Sequence, residues 1–560
     1  MIDDRSKKLK RRYENAKSAF DTRASILQVL APLFDPSRGQ NQTNIVIDGQ
    51  SWMTGVYDGT GIHASEMAAL FFDGYSTNPA TKWAGYKDAN PEINETDEAR
   101  EWYQECSDRA LDAFRAANGY ACFHETHKDW WNWGDASLIV EERKQAAKSV
   151  RGFRGLRCTV DRVGRFYLEL DSNNEPGAEF REFTLNAWAA GERYGKENLS
   201  EKIQAAITNE RYGDKFTFVH GVYPRSSAEQ QSGKGYRQRL PYASCDFEYD
   251  TANIVREDGY ETYPFANPRQ GGLFGETYGR GRADLAANDM MTVNAAKQLG
   301  LEDHALKIRP PTFVPDDVMG GNLTLIPGSF IPVTRKGTMA MQDLFWQYQS
   351  GARPDITNIK EEDIRLAVQR HYHVDAFKQA LEQDLQRVNN FTYGKQIELT
   401  MKLVGPHYTS LQYGLHEPTM KRIFRIMYNA GAFSQPPDII LELGGQVEVG
   451  FESPLSKAQR QDEAVAMERF LAILSSGAQA EAQLPDSPTF DILQRERYYR
   501  EIAAIYGVPN KTLNSTKEVM AIQQSRAAEQ QQQQINAQLQ GGAESLGKVA
   551  PFLKAVGGQQ

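Results

Sequence analysis

Two histidines are the clearest candidates for a metal site in this sequence. His124 and His127 are three residues apart, so on a helix both imidazoles would lie on one face. Imidazole is a common zinc ligand. However, no third ligand follows at a recognised spacing, and the sequence contains no HExxH motif. The spacing therefore favours structural histidines over a metal centre. His220 is likewise interpreted as a packed or rim histidine rather than a ligand, because it shares one face of a strand-like stretch with apolar residues.

The motifs that bind nucleotides or activate a serine are incomplete. Residues 230–237 (QQSGKGYR) contain Gly-Lys but lack the upstream glycine and the following Ser or Thr of a P-loop. Residues 279–282 (GRGR) do not follow the strand–turn–helix unit of a dinucleotide fingerprint. The sequence also lacks a GxSxG nucleophile elbow. These patterns do not predict nucleotide binding or acyl transfer.

Paired carboxylates could carry out general acid–base hydrolysis. The adjacent pairs at 316–317 and 361–362 are typical of solvated turns and of helix N-termini. A hydrolase would need a pocket with at least one raised carboxyl pKa, and the sequence singles out no such pair. We therefore expect a protein that is not an enzyme and has no cofactor.

The composition limits the remaining classes. The chain has 560 residues, which at roughly 150 residues per domain predicts three or four units. Its 64 basic and 73 acidic side chains give a net charge of −9, which argues against a grip on nucleic acid by the whole surface. No apolar run approaches the roughly 20 residues of a membrane span, and we expect no secretion signal. The four cysteines lack a CxxC pair, which is typical of reduced thiols: Cys106, Cys122, Cys158 and Cys245.

The first half of the chain combines helical and strand patterns. Apolar residues at three- and four-residue steps predict a helix from Ser6 to about Leu33. Six of the eight tryptophans fall within 50–150, which indicates a large aromatic core. Strand-like stretches follow at 137–142, 165–171 and 215–223.

The second half predicts two long helices on either side of a turn-rich segment. One helix begins near Arg282 and continues to about His304, and Pro and Gly are then frequent in 309–337. The second helix is predicted over 359–389, with Asn358 as its N-cap, and would be about 45 Å long. Further helix is expected at 396–430, a short strand pair at 439–443 and 447–452, and a Gln/Ala-rich end.

In this order the parts resemble the head-to-tail connecting (portal) protein of short-tailed bacteriophages, over roughly residues 15–530. The resemblance rests on four regions in sequence: GETYGRGRADLAANDMMTVN at 275–294, RPPTFVPDD with LTLIPGSFI at 309–331, LVGPHYTSLQYGLHEPTMKRIFRIMYNAG at 403–431, and SPLSKAQRQDEA with IYGVPNKTL at 453–464 and 505–513. One stretch departs from the family: NNFTYGKQIEL at 389–399 matches only loosely the Thr-Ala-Thr-Glu-Val-like segment found there.

The resemblance implies an α+β, mainly helical fold, the phage portal fold, in a subunit that forms a ring. Its expected parts are a wing at 1–281, a first stem helix at 282–306, a clip at 307–357, a second stem helix at 358–388, a channel loop and spine helix at 389–450, a crown at 451–525 and a Gln/Ala-rich tail at 526–560.

The resemblance also implies a dodecameric homo-oligomer at one vertex of the virion capsid, assembled in the host cytoplasm. Double-stranded DNA would be packaged through the ring by the terminase large subunit and ejected into the tail. The expected partners are therefore the major capsid protein, the terminase, a tail adaptor protein and DNA, without a membrane. The alternative is another virion structural or internal core protein that has no DNA channel.

Candidate functional residues follow from these expected parts. Acidic side chains along a bore would repel phosphate and let DNA slide. The DNA-channel candidates are Asp284, Asp289, Glu382, Asp384, Asn389, Asn390 and Lys395. The candidates for contacts of the clip with a partner are Asp316, Asp317, Arg335 and Lys336. For each of the acids the alternative is an ordinary exposed helical charge, and for the clip residues it is the solubility of a turn.

Overall fold

The structure is a computed structural model, and it describes most of the chain. The described residues are 4–36, 55–94, 96–143, 152–233, 235–271, 275–315, 326–333, 346–347, 354–381, 400, 403–451, 466–474, 476, 495–505, 514, 518–526, 528–529 and 531–533.

Helices and strands are mixed along the chain. The helices are α1 (Asp4–Phe34), α2 (Thr60–Tyr75), α3 (Pro91–Asn94), α4 (Asp97–Ala116), α5 (Gly119–Trp133), α6 (Ala187–Tyr194), α7 (Glu201–Thr208), α8 (Ser227–Ser232), α9 (Arg282–Ile308), α10 (Pro354–Tyr372), α11 (Val374–Leu381), α12 (Glu417–Asn429), α13 (Asp438–Glu442) and α14 (Arg495–Ile505). The strands are β1 (Ala84–Asp88), β2 (Ser137–Glu142), β3 (Leu156–Asp161), β4 (Phe166–Leu170), β5 (Pro176–Asn186), β6 (Lys215–Pro224), β7 (Tyr242–Glu248), β8 (Ile254–Tyr260), β9 (Phe265–Ala266), β10 (Thr312–Pro315), β11 (Phe330–Val333), β12 (Trp346–Gln347) and β13 (Val447–Phe451). None of these described helices combines the length and apolar character needed to span a bilayer.

The chain divides into two compact units. The first comprises Met1–Gly85, Cys106–Ser434 and Val449–Leu455, and the second comprises Tyr86–Glu105, Gln435–Glu448 and Ser456–Gln560.

An antiparallel sheet in the order β4-β5-β6-β7-β8 packs against α1 in the first unit. The predicted helix is confirmed as α1, but its apolar stripe is confirmed only in part, because Ile26 and Val29 are exposed. The buried inward residues of its first half are Leu9, Tyr13, Ala16 and Phe20. The Tyr13 ring contacts Phe180 of β5 and Phe247 of β7 edge-on, at centroid distances of 6.2 and 6.3 Å. Because side chains alternate across a strand, the neighbouring residues of β5 and β7 lie on the opposite face of the sheet.

Among the described residues, that opposite face is covered only at its two ends. Helices α6 and α7 close one end with an apolar cluster: Ala190, Tyr194, Leu199, Ile203, Phe218 and Val255. A second antiparallel sheet, in the order β3-β2-β9, meets the other end through Ile139, Val222 and Phe265. None of the described helices or strands covers the middle of this sheet face.

The predicted aromatic core is confirmed and lies among the helices of the first unit. Four tryptophans are essentially fully buried: Trp83, Trp130, Trp131 and Trp133. Phe377 of α11 stacks on Phe71 of α2 with a centroid distance of 4.2 Å, and Trp131 of α5 lies beside it. Large aromatic rings supply much of the apolar area that such a core buries.

Helices α9 and α10 match the predicted long helices with two differences. Helix α10 begins at Pro354, so Asn358 lies inside it rather than at its cap. It ends at Tyr372, where His373 adopts a φ of 57° before α11 begins. Tyr372 and Phe377 are both fully buried. Five residues apart on one helix they would point about 140° away from each other, and the break at His373 lets both face the core.

The turn-rich segment between α9 and α10 contains three short strands among its described residues. Strand β10 pairs in parallel with β11 and antiparallel with β12, and the ring of Phe313 stacks on that of Trp346. After α11, a helical segment at 403–411 leads through a π-helical turn, Gln412–His416, into α12. The π turn ends two residues before Pro418, whose ring and missing N–H disturb the regular helical hydrogen bonds.

The second unit is described mainly by short helices. Tyr103 donates a hydrogen bond of 2.6 Å to Asp88, and Asp97 forms an ion pair of 3.6 Å with Arg500 of α14. The predicted strand at 439–443 is wrong, because Asp438–Glu442 forms the helix α13. Pro437 fixes φ directly before it and Asp438 is in its first turn, which is a helix-start pattern.

Candidate functional site

The turn that leads into α9 packs tightly against the end of α5. A Cβ atom on Gly281 would lie 1.9 Å from the carbonyl oxygen of Asn132, and one on Gly279 would lie 2.5 Å from the carbonyl oxygen of Gly134. Gly134 itself has a φ of 83°. Only glycine fits these positions. The Gly-Arg-Gly sequence at 279–281 therefore fixes where α9 starts.

One guanidinium, that of Arg23, joins three elements at this turn. Its NH1 lies 3.1 Å from Oδ2 of Asp135, after α5, and its NH2 lies 2.9 Å from Oδ2 of Asp284, in the first turn of α9. Arg23 also donates to the carbonyl oxygens of Gly279 and Trp133. Its own helix, α1, is thereby tied to the beginning of α9.

The two carboxyl groups in this network are perturbed by burial. Burial raises the pKa of Asp135 to about 6, although the positive charge of Arg23 opposes the shift. Burial also raises the pKa of Asp284. Asp284 accepts a hydrogen bond of 3.1 Å from the Gly281 N–H and so caps α9. The sequence-predicted channel acid Asp284 thus lies within this network, and its place on a channel wall stays a prediction.

A second polar cluster lies beside the turn. Arg282 NH2 donates to Nε2 of His407 at 2.7 Å, and the Gln270 amide contacts Nδ1 of His407 at 2.9 Å. The Arg282 guanidinium also lies 5.0 Å from the ring centroid of Trp131. Burial and the nearby Arg282 lower the pKa of His407 to about 4, so the ring is neutral and accepts the arginine hydrogen bond.

Helices α9 and α10 are linked to each other farther along. Asp289 of α9 lies 3.3 Å from Nε2 of His371 on α10, and the Asp289 side chain is 39% exposed. On α10, Arg365 contacts Asp58 at 2.9 Å and Glu361 at 3.0 Å. Asp289, a second sequence-predicted channel acid, therefore lies at the pairing of the two helices, far enough outward to remain in contact with solvent.

The remaining sequence-predicted site residues lie outside the described part of the chain. They are the channel candidates Glu382, Asp384, Asn389, Asn390 and Lys395 and the clip candidates Asp316, Asp317, Arg335 and Lys336. Their assignments stay predictions.

The histidine pair that first suggested a metal site binds a carboxylate instead. Asp73 accepts from Nδ1 of His124 at 2.6 Å and from Nδ1 of His127 at 2.9 Å. Nε2 of His127 lies 3.3 Å from Nε2 of His416, whose side chain is fully buried. Within the described residues, no group of three or more His, Cys, Asp and Glu side chains is arranged to hold a metal ion. Burial and the neighbouring His127 lower the pKa of His416.

Sequence reasoning missed Arg23, Asp135 and Asp73. Each is separated by about 50 to 260 residues from its partners, so no local spacing signals it. Gly279 and Gly281, on either side of Arg280, are a local signal, because two glycines at alternate positions indicate a close approach of the backbone.

An open groove of about 1,510 Å³ lies over the uncovered middle of the five-stranded sheet. Asp135 does not line it. In spite of burial, hydrogen bonds and neighbouring positive charge lower the pKa of the lining residues Asp246 and Asp258. The hydrogen bond from Arg425 lowers the pKa of Glu261, another lining residue. Among the lining groups whose pKa is shifted, none is a carboxyl group with the raised pKa that a hydrolase would need.

Comparisons with known proteins match almost the whole chain. The family model described as "Bacteriophage head to tail connecting protein" matches residues 6–513. The "Probable portal protein" of Bordetella phage BPP-1 is 21% identical over 92% of this chain and 88% of its own length. The "Portal protein" of Salmonella phage epsilon15 is 22% identical over 88% of this chain and 85% of its own length.

Among solved structures, the neck of an empty gene transfer agent (GTA) particle aligns with a TM-score of 0.32 and 12% identity, over 83% of this chain and 98% of that one. Because the family model spans nearly the full sequence, the chain belongs to the bacteriophage head-to-tail connecting protein family.

Proposed function

We propose that this chain is a portal subunit, which forms a ring at one capsid vertex through which double-stranded DNA enters and leaves the head. The observation that carries the proposal is the family match over residues 6–513. Two relatives of similar length that are named as portal proteins support it. The proposed partners are further copies of the chain in a dodecamer, the major capsid protein, the terminase large subunit and a tail adaptor. The proposed location is the virion, after assembly in the host cytoplasm.

In this proposal α9 and α10 form the stem, and the strands β10, β11 and β12 belong to the clip between them. The wing would comprise 1–281, the channel loop and spine 389–450, and the crown 451–525. A stem must keep its direction while DNA moves past it. The Arg23 network at the start of α9 and the Asp289–His371 pair between the helices supply such anchoring.

The charge of the chain supports passage rather than retention of DNA. Each copy carries a net charge of −9, so a dodecamer would carry on the order of a hundred excess negative charges before counterions bind. An acidic bore repels phosphate, whereas a basic bore would hold it through counterion release. We propose that Asp284 and Asp289 contribute to the bore together with the channel candidates outside the described residues.

Imaging of the purified full-length protein tests the proposal. We expect negative-stain averages to show discrete rings with a central hole and twelve-fold symmetry. Filaments, or a monodisperse monomer at high concentration, would contradict the portal assignment. They would favour a virion structural protein without a channel.

A further inference from the structure

The groove over the five-stranded sheet has a charged floor. One residue from each of four neighbouring strands lines up in register across it: Arg181 of β5, His220 of β6, Asp246 of β7 and Arg256 of β8. His220 and Asp246 are 2.6 Å apart, and Arg181 pairs with Asp161 at 2.7 Å. A sheet face that pointed only into a core would carry apolar side chains here. The row therefore marks a polar surface.

Arginine dominates the lining of the groove. Among the residues that the structure describes, the walls and floor contain ten arginines, seven carboxylates and no lysine. These arginines and carboxylates give an excess of three positive charges, in a chain whose net charge is −9. The local balance is thus opposite in sign to the balance of the whole molecule.

The carboxylates of the groove already have partners, whereas several arginines lack an ionic one. Glu141 accepts a hydrogen bond of 2.5 Å from Tyr260, and Glu261 accepts from Arg425 and, at 2.7 Å, from Asn429. Across the described part of the chain, four lining arginines form no ion pair with a carboxylate: Arg143, Arg157, Arg165 and Arg422.

Arg422 of α12 is the most enclosed of these four. Its NH1 donates to Oγ1 of Thr262 at 2.6 Å and to the Thr262 carbonyl at 3.2 Å, and its guanidinium lies 5.2 Å from the Tyr260 ring centroid. Burial lowers its pKa. A guanidinium in this setting gains more from a bound carboxylate than a solvated one does, because the surrounding water is already displaced.

We propose that this groove binds an acidic polypeptide segment of a protein partner. The planar guanidinium fork suits bidentate binding of carboxylates, and a lining rich in arginine is typical of protein–protein interfaces. Apolar side chains among the charges provide contacts for a peptide: Ile139, Phe183, Leu240 and Ile426. Tyr236, at 79% exposure, adds an aromatic anchor at the rim.

Two other ligand classes fit less well. The groove volume, about 1,510 Å³, exceeds the roughly 300–1,000 Å³ typical of a small-molecule site. A nucleic acid backbone would meet seven carboxylates interspersed among the arginines, and these would repel its evenly spaced phosphates. A peptide can place its carboxylates opposite the arginines and its amide groups opposite the acids.

Fluorescence anisotropy with the full-length protein tests the proposal. The probes are a fluorescein-labelled oligo-glutamate peptide with interspersed leucines, a labelled oligothymidylate of equal charge, and inorganic phosphate as competitor. We expect the peptide to bind more tightly than the oligothymidylate, with an affinity that falls as salt is added. The double variant Arg157→Gln/Arg165→Gln should weaken peptide binding about ten-fold.

The matched control is Arg211→Gln/Lys215→Gln, which removes the same charge from exposed positions of the first unit outside the groove. It should change binding less than about two-fold. Circular dichroism and thermal melts verify that both variants fold. Three outcomes would overturn the proposal. They are an equal loss of peptide binding in both variants, tighter binding of the oligothymidylate than of the peptide, and no peptide binding by the parent protein. So would a loss of self-association in the groove variant alone, measured by sedimentation velocity, since a second copy would then be the occupant.

Discussion

At the residue scale, Arg23 shows how one side chain stabilises the root of a long helix. It neutralises Asp135 and Asp284, which lie far apart in sequence, and binds two carbonyl groups between them. Such a group contributes mainly by preventing an uncompensated buried charge. The loss of stability on removing the Arg23 guanidinium should therefore depend on the protonation of Asp135 and Asp284.

We expect Arg23→Met to destabilise the protein by about 3 kcal/mol near neutral pH. The cost should shrink as the pH falls, because Asp135, with a pKa already raised to about 6, takes up a proton and no longer needs a cation. Urea unfolding midpoints at several pH values measure this. The control is Arg12→Met, which breaks the more exposed pair with Glu169 and should cost less than about 1 kcal/mol. If the loss of stability caused by Arg23→Met did not change with pH, the role assigned to Asp135 would be contradicted.

His407 should make stability depend on pH. Its folded pKa of about 4 lies below the ordinary value of 6.5, so the folded state binds fewer protons than the unfolded state between these values. The stability that the neutral His407 ring contributes is fully present above about pH 6.5 and is lost as the pH falls toward 4. After allowance for partial exposure, the effect is on the order of 1 kcal/mol. His407→Gln should flatten the pH profile of the melting temperature, whereas the same change at exposed His63 should leave it as in the parent protein.

At the element scale, the start of α9 is set by backbone contact rather than by side-chain preference. Gly281→Ala would place a methyl group 1.9 Å from the Asn132 carbonyl oxygen. The backbones must separate, at a cost of about 3 kcal/mol. Gly235→Ala is the control, because nothing lies within 4 Å of the added Cβ. Thermal unfolding compares the two, and equal melting temperatures would mean that the turn can shift freely.

The break between α10 and α11 depends on a left-handed residue. His373 has a φ of 57°, a conformation that asparagine tolerates and β-branched residues avoid. His373→Val should therefore be less stable than His373→Asn by about 1–2 kcal/mol. Both variants lose the imidazole, so the difference in their unfolding midpoints isolates the backbone effect. If the two midpoints coincide, the break is not maintained by this conformation.

At the scale of the whole molecule, the symmetry of the proposed ring would repeat each charged side chain once per subunit. Asp289 is half-exposed and faces His371, so every subunit would contribute one such carboxylate at the same height. Neutralising it removes repulsion from passing phosphate. The arginine groove on the first unit has the opposite sign, so the two proposals give one chain a surface that repels phosphate and another that binds an acidic polypeptide.

Asp289→Asn should slow DNA packaging in a reconstituted head-filling assay by about two-fold, without changing ring assembly. Glu197→Gln, an exposed neutralisation away from α9, is the control for net charge. An unchanged packaging rate would remove Asp289 from the bore, and equal slowing by both variants would assign the effect to net charge alone.

Several of the elements follow from the sequence alone, since local periodicity predicts them. The helix α1, the strand β6 and the helix from Arg282 are predicted from local patterns, and the structure confirms them. The order of the quoted motifs also indicates the family, and the family match confirms it. Predictions failed where short segments depended on neighbours, as at 439–443, where an apolar run forms a helix after Pro437.

Only the tertiary structure could show which distant side chains meet. Arg23 finds Asp135 and Asp284 across more than a hundred residues, and Asp73 brings His124 and His127 together without a metal ligand pattern. The arginine groove combines residues of two sheets and a helix from all along the first unit. Periodicity reports what each residue's own element buries, whereas charge pairing depends on how elements pack. The sequence therefore determined the elements and the family, and packing alone decided the ionic networks.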